Sequence, residues 1–215
     1  MALNERAVVI PAKANKKIEL KAIAGHFATS HSHINYYLDI TPIKCNHEEA
    51  KLTSKQMAKK YINSKEVDTI VCMDGCEVIG AFLAEELSAN GLNSINEGKG
   101  INVIVPEINS SGQLIFRDNV EPMVVHKHVV IIVANATTGK TIKKCIEAIK
   151  YYGGIVEGVS AIFSAVDAIY GVDVDSIYSI DDVANYKTYS INDCPFCAEG
   201  RRIDAIVNSF GYSKI

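Results

Sequence analysis

The chain has 215 residues, 48% of them hydrophobic and 22% charged, with a formal net charge of −3. That length buries a sizeable core, the composition is that of an ordinary globular protein, and the acidic balance argues against a nucleic-acid or anionic-membrane surface. No apolar run reaches the roughly eighteen residues needed to span a bilayer, and the N-terminus has no signal-peptide core, so a cytoplasmic protein with no membrane partner is expected. Six scattered cysteines predict reduced thiols, with Cys72 and Cys145 in apolar contexts, rather than a disulfide scaffold.

Met1 to Pro11 is a short arm whose apolar run Ala7 to Ile10 suits an edge strand. Ile18, Leu20, Ile23 and Phe27 form a loose apolar stripe that predicts a helix from Asn15. A polar, turn-like stretch then leads to a short strand at Tyr36 to Ile40. His31 and His33 lie in that stretch with no further ligands nearby, and read as loop histidines rather than a metal pair. Leu52, Met57, Ala58 and Tyr61 give a helix over Thr53 to Tyr61 its packing face, and Asn63 to Glu66 is a polar break.

Val67 to Met73 reads as the first strand of a central sheet. The turn Asp74-Gly75-Cys76-Glu77 opens a helix from Val78 to about Asn90, closed by Gly91. Strand, glycine turn and helix form an anion-binding geometry, but Asp74 and Glu77 beside Gly75 would repel an anion. Ile101 to Val105 is the next strand. Pro106 to Asn119 is a polar excursion of a length that is usually functional or mobile in a compact domain.

Val129 to Val133 is continuously apolar, as in a strand buried on both faces of a parallel sheet. It runs into Ala136-Thr137-Thr138-Gly139-Lys140-Thr141 and a helix over Ile142 to Tyr152, whose apolar face is Ile142, Cys145, Ile146 and Ile149. The turn sits at the carboxyl end of the strand, where open α/β sheets bind ligands. Gly139, the N–H groups of the helix start and the threonine hydroxyls suit a phosphate; a threonine-capped turn with no ligand is the other reading. It is no nucleotide P-loop, because Ala134 stands where the first glycine is required.

Ile155 to Phe163 and Val174 to Ile180 supply further strands, and Asp181-Asp182 begins a short helix. Cys194-Pro195-Phe196-Cys197 lacks both a second ligand pair and the strand-helix setting of a redox pair, so a structural turn and no metal are expected. No repeat or low-complexity linker divides the chain. The whole predicts one α/β unit, a parallel sheet flanked by helices.

Val129 to Thr141 resembles the phosphoribosyl-diphosphate motif of type I phosphoribosyltransferases, in which an apolar strand leads through two acidic residues and a small or apolar one to Thr-Thr-Gly. Thr29-Ser30 and Tyr36-Tyr37-Leu38-Asp39 resemble the N-terminal hood of the orotate phosphoribosyltransferases, and Cys194 to Gly200 resembles a segment near the carboxyl end of their longer members. The resemblance runs from about Phe27 to Gly200. It implies a hood and arm over residues 1–65, a core over 66–180 and a C-terminal tail over 181–215. It implies that Ala136 to Thr141 hold a 5′-phosphate, that Ala134, Asn135, Asp74 and Gly75 face the ribose and diphosphate, and that a homodimer forms. Tyr36 and Tyr37 are candidates either to stack on a planar ligand or to pack the hood.

The chain departs from the family at the residues that carry chemistry. Ala134 and Asn135 replace the acidic pair, and Ala28 falls at the hood lysine. Val105, Pro106, Asn109 and Ser111 occupy four basic positions of the catalytic loop, although Glu107 and Gly112 keep its frame; Arg117 is the cation left in the excursion. The expectation is a family relative that binds a nucleotide or another phosphorylated small molecule with little transferase activity and no assigned catalytic residue or cofactor. The alternative is an active phosphoribosyltransferase of pyrimidine or other nucleotide metabolism, using phosphoribosyl diphosphate and magnesium.

Overall fold

The computed structural model describes residues 3–89 and 94–215. The chain opens with β1 (Ala7–Pro11), β2 (Glu19–Ala28) and β3 (His33–Asp39). These pair antiparallel, β1 with β2 and β2 with β3. The helix expected from Asn15 is therefore a strand: Glu19 and Lys21 are exposed while Leu20 and Ala22 are buried, a period of two that the looser spacing of Ile18, Leu20, Ile23 and Phe27 concealed. The turn before β3 shrinks to Thr29–Ser32, because the Thr29 hydroxyl accepts the N–H groups of His31 and Ser32 and closes it locally.

Two helices follow, α1 (Thr41–Cys45) and α2 (His47–Tyr61), the second capped by the Asn46 side chain, which accepts from Glu48 and Glu49. The core then runs β4 (Thr69–Cys72), α3 (Glu77–Ser88), β5 (Asn102–Ile104), β6 (Glu107–Ile108), β7 (Leu114–Ile115), β8 (His128–Ala136), α4 (Lys140–Tyr151), β9 (Ile155–Ser164), β10 (Ala168–Ile169) and β11 (Val172–Ser179). The expected helix stop at Gly91 lies outside the described residues. The central sheet has the order β10-β11-β9-β8-β4-β5. All its pairs are parallel except β10 with β11.

β8 sits inside this sheet, and its side chains alternate between two cores. Val130, Ile132 and Ala134 face a cluster that continues through Ile70 and Tyr61 into Phe27 and Tyr37 of the first sheet. Val129, Ile131 and Val133 face a second cluster under α4, with Ile142, Cys145, Ile146 and Ile149. Each fully buried Val or Ile contributes about 1.5–3 kcal/mol, which is why this run is apolar at every position rather than at alternate ones.

The last segment, expected as a tail, is built into the hood. β12 (Thr188–Tyr189), α5 (Pro195–Ala198), β13 (Ala205–Asn208) and β14 (Gly211–Lys214) follow in turn. β12 extends β3, and β13 with its hairpin partner β14 extends β2, giving a sheet of order β12-β3-β2-β13-β14 with β1 on β2. Hood and core are joined by buried hydrogen bonds. Tyr61 Oη pairs with Ser160 Oγ at 2.8 Å, and Tyr178 Oη donates to the carbonyls of Ile18 and Ile10 at 2.8 and 3.2 Å. No helix among the described residues is long and apolar enough to cross a membrane.

Candidate functional site

Where the carboxyl ends of β4 and β8 meet the hood, the chain encloses a cavity of about 510 Å³. Its floor is the turn after β8. Gly139 has φ +68°, a left-handed conformation that glycine adopts without strain, and it precedes α4 with no side-chain cap on the helix start. Thr137, Thr138, Lys140 and Thr141 line the cavity, and so do Ala134, Asn135 and Asp74 at the strand ends. These are the positions at which the sequence placed phosphate and ribose contacts. Ala136, Gly139 and Gly75 shape the backbone beneath without lining the cavity.

Asn135 carries the most informative feature. Its side-chain Oδ1 is buried and has no hydrogen-bond partner, a condition that costs a folded chain about 1–3 kcal/mol and points to a donor supplied from outside. Asp74 stands opposite at φ +58°, an uncommon conformation for a residue with a side chain. Burial pushes its carboxyl above the usual range, against the Lys44 charge and a hydrogen bond from the Ala134 backbone. The repulsion expected from Asp74 is thereby weakened. Lys44, from α1, donates to the carbonyls of Asp74 and Ser209 at 2.7 Å each and so ties this turn to the end of the chain.

The roof comes from the hood. The Thr29–Ser32 turn and Tyr37 line the cavity, whereas Tyr36 does not, as adjacent strand residues point to opposite faces. Tyr37 is 6% exposed and packs against Phe27 and Tyr212, with ring centroids 6.0 and 5.2 Å away. Burial raises its hydroxyl to a pKa of about 12, so it meets a ligand as a neutral phenol. A second depression of about 520 Å³ beyond Tyr37, lined by Asp39, Cys45 and Tyr212 among others, has no lysine or arginine in its wall.

Sequence reasoning missed contributions from α4 and from the end of the chain. Lys144, one turn into α4, lines the cavity and donates to the Gly112 carbonyl at 3.0 Å, while Val207, Asn208 and Ser209 arrive from β13. Lys144 was recoverable from its helical spacing to Lys140; the β13 residues were not, because no local pattern places them beside β2. The excursion before β8 folds as the β6–β7 hairpin, with Asn109 Oδ1 accepting the N–H groups of Ser111 and Gln113. Arg117, its one cation, forms a two-pronged ion pair with Glu107 at 2.7 Å per bond. It is committed within its own hairpin.

The histidines and cysteines are also placed differently from expectation. His31 is exposed and lines the cavity, but His33 is buried and meets His26, Cys194 and Cys197. The Cys-x-x-Cys pair thus has the second ligand pair that its sequence neighbourhood lacks.

No protein-family model matches the chain. It is 27% identical over 184 residues to the orotate phosphoribosyltransferase of Caldanaerobacter subterraneus subsp. tengcongensis, covering 82% of this chain and 85% of that one. That similarity extends over most of both chains. Among solved structures, the fold matches the orotate phosphoribosyltransferase of Mycobacterium tuberculosis H37Rv in complex with Fe(III) dicitrate, at 17% identity and a TM-score of 0.54, covering 77% of this chain and 93% of that one. The same enzyme in complex with 5-phospho-α-D-ribosyl 1-diphosphate matches at 16% identity and a TM-score of 0.50, covering 68% and 82%.

Proposed function

We propose that this phosphoribosyltransferase relative binds a nucleotide or another phosphorylated small molecule, with the 5′-phosphate on the turn from Ala136 to Thr141, and that it carries out little or no phosphoribosyl transfer. The observation that carries the reading is the buried, unpartnered Asn135 Oδ1 beside an uncapped helix start in one cavity. Backbone N–H groups, the hydroxyls of Thr137, Thr138 and Thr141, and Lys140 hold a phosphate without help from acidic residues. Asn135 adds an acceptor suited to a ribose hydroxyl. That the Mycobacterium tuberculosis enzyme has been solved with 5-phospho-α-D-ribosyl 1-diphosphate supports a phosphorylated ligand.

Magnesium does not fit this residue set. Among the described residues Asp74 is the only carboxylate lining the cavity, and its burial disfavours the charged form; magnesium takes hard oxygen ligands, usually a carboxylate or two with substrate phosphates. Among the described residues the cavity wall holds Lys140 and Lys144 but no arginine, and Arg117 is paired with Glu107, which leaves little to stabilise a departing pyrophosphate. A homodimer and a cytoplasmic setting accompany this reading by family resemblance.

The second reading, an active phosphoribosyltransferase, is favoured by the similarity to a curated orotate phosphoribosyltransferase over most of both chains. Calorimetric titration with uridine monophosphate, beside a steady-state assay with orotate, phosphoribosyl diphosphate and magnesium, separates the two. Binding without turnover is expected; turnover at an ordinary enzyme rate, about 1–1000 per second, would establish the second reading instead.

A further inference from the structure

His26, His33, Cys194 and Cys197 come from three separate stretches of chain, yet their ligand atoms all lie within 4.8 Å of one another. His26 Nε2 is 3.0 Å from His33 Nδ1, 3.5 Å from Cys194 Sγ and 3.7 Å from Cys197 Sγ, and Cys197 Sγ is 3.3 Å from His33 Nδ1. We propose that these four side chains bind one zinc ion that staples the hood together.

The distances carry the argument. With Zn–N near 2.05 Å and Zn–S near 2.3 Å, a tetrahedral site has edges of about 3.3 Å between two nitrogens and about 3.6 Å between nitrogen and sulfur. The four separations above differ from these by a few tenths of an ångström and the other two lie within 4.8 Å, so side-chain shifts of up to about an ångström bring all four atoms onto one ion. Two imidazoles and two thiolates filling all four positions form a closed, structural site, and mixed sulfur and nitrogen ligands in a tetrahedron select zinc among common divalent ions.

The surroundings orient the ligands for this task. His26 Nδ1 lies 2.9 Å from the Arg201 carbonyl, which only accepts, so the proton sits on Nδ1 and the Nε2 lone pair faces the cluster. A register shift in β2 between Ala24 and Phe27 turns His26 inward. Asp204 Oδ2 holds the His26 N–H at 2.8 Å while Arg6 clamps the same carboxylate. Cys194 precedes the single turn of α5, and Gly200 at φ +69° turns the chain back toward β13. His26, His33 and Cys194 are 0, 6 and 2% exposed. Cys197 is exposed and opens the cluster to solvent on one side; binding releases the two thiol protons there, and two thiolates with one divalent ion and two neutral imidazoles sum to zero charge, which a largely buried site accommodates.

The staple bears on the cavity. His26 and His33 bracket the Thr29–Ser32 turn, and Cys197 lies eight residues before Ala205, where β13 begins toward Asn208. Both of these wall segments line the cavity. Zinc would therefore hold the hood wall in register. This consequence for ligand binding rests on the proposed function, whereas the metal site does not.

The test is elemental analysis of the full chain, expressed with zinc and purified reduced without chelator. One zinc per chain is expected, falling to under about a tenth in Cys197→Ala and unchanged in Cys45→Ser, which alters a cysteine outside the cluster. Because a variant that unfolds also loses metal, the wild-type chain supplies a second readout. Stripped with a chelator and refilled with cobalt, it should show thiolate-to-cobalt charge-transfer absorption, and its Tm should drop on stripping and return with zinc but not with magnesium. A folded wild-type chain that takes up no stoichiometric zinc or cobalt overturns the proposal, as does full zinc retention in Cys197→Ala. Neither measurement involves a nucleotide, so failure of the binding reading would leave these results intact.

Discussion

Ile169 of β10 lies against the backbone of Gly139 so closely that a Cβ at position 139 would sit 2.0 Å from its Cδ1. The small hairpin after β9 therefore buttresses the turn before α4, and Gly139 is required twice, by its positive φ and by this contact. Gly139→Ala is expected to destabilise the chain by about 1–3 kcal/mol even with no ligand present. Ile169→Ala in the same chain should relieve the steric part and leave the conformational part. A double-mutant cycle by urea denaturation reads the difference; purely additive effects would show that the contact has no energetic weight.

The proposed phosphate binding is better probed by hydroxyl removal, which leaves the turn intact. Thr138→Ala combined with Thr141→Ala should weaken uridine monophosphate binding about tenfold or more, since hydrogen bonds to a charged group contribute about 1.5–3 kcal/mol each. Equal affinity of variant and wild type in the calorimeter would reduce the turn to a helix start without a ligand.

Asn135 gives a prediction of opposite sign in two assays. Removing a buried oxygen that has no partner should leave the free chain as stable as before or more so, while ligand affinity falls by about 1 kcal/mol. Asn135→Ala is measured by thermal unfolding and by titration. A clear loss of stability in the free chain would mean that the oxygen is already satisfied.

Transfer of phosphoribose to orotate should stay at least about a thousandfold below ordinary enzyme rates. Restoring the acids with Ala134→Asp and Asn135→Asp should not rescue it, because Arg117 remains held by Glu107 and the basic loop residues are still missing. The check is product formation under saturating phosphoribosyl diphosphate and magnesium.

Glu157 sets a pH dependence in the core. Burial pushes its carboxyl upward, but hydrogen bonds from His128 at 2.6 Å and from Lys65 outweigh that and hold it below the usual carboxylate range. A depressed folded-state pKa stabilises the chain above the unfolded value of about 4.3, and that contribution is lost as pH falls through the folded value. Glu157→Gln should cost about 1 kcal/mol at pH 7. The gap between variant and wild type should close at more acidic pH in urea titrations; a gap independent of pH would assign the effect to packing instead.

What the sequence determined by itself was local. A short, β-branched apolar run bounded by turn signals reads as a strand covered on both faces, so β8 and its parallel neighbours were legible, and the 3.6-residue spacing of Ile142, Cys145, Ile146 and Ile149 fixed α4 and hence the turn between them. Where a segment's period was weak, as in residues 18–28, local reasoning chose a helix. The partners that make it a strand lie elsewhere, in β1, β3 and β13. Tertiary structure alone decided that the last thirty-five residues belong to the hood, that Arg117 is already paired, and that Asn135 keeps an unpartnered oxygen. It also decided that His26 and His33 meet a cysteine pair 161 or more residues away in sequence (194 − 33 = 161). Pairings across that separation depend on which strands dock in one sheet, and hydrogen bonding between edges is read from the whole fold, not from any window of the chain.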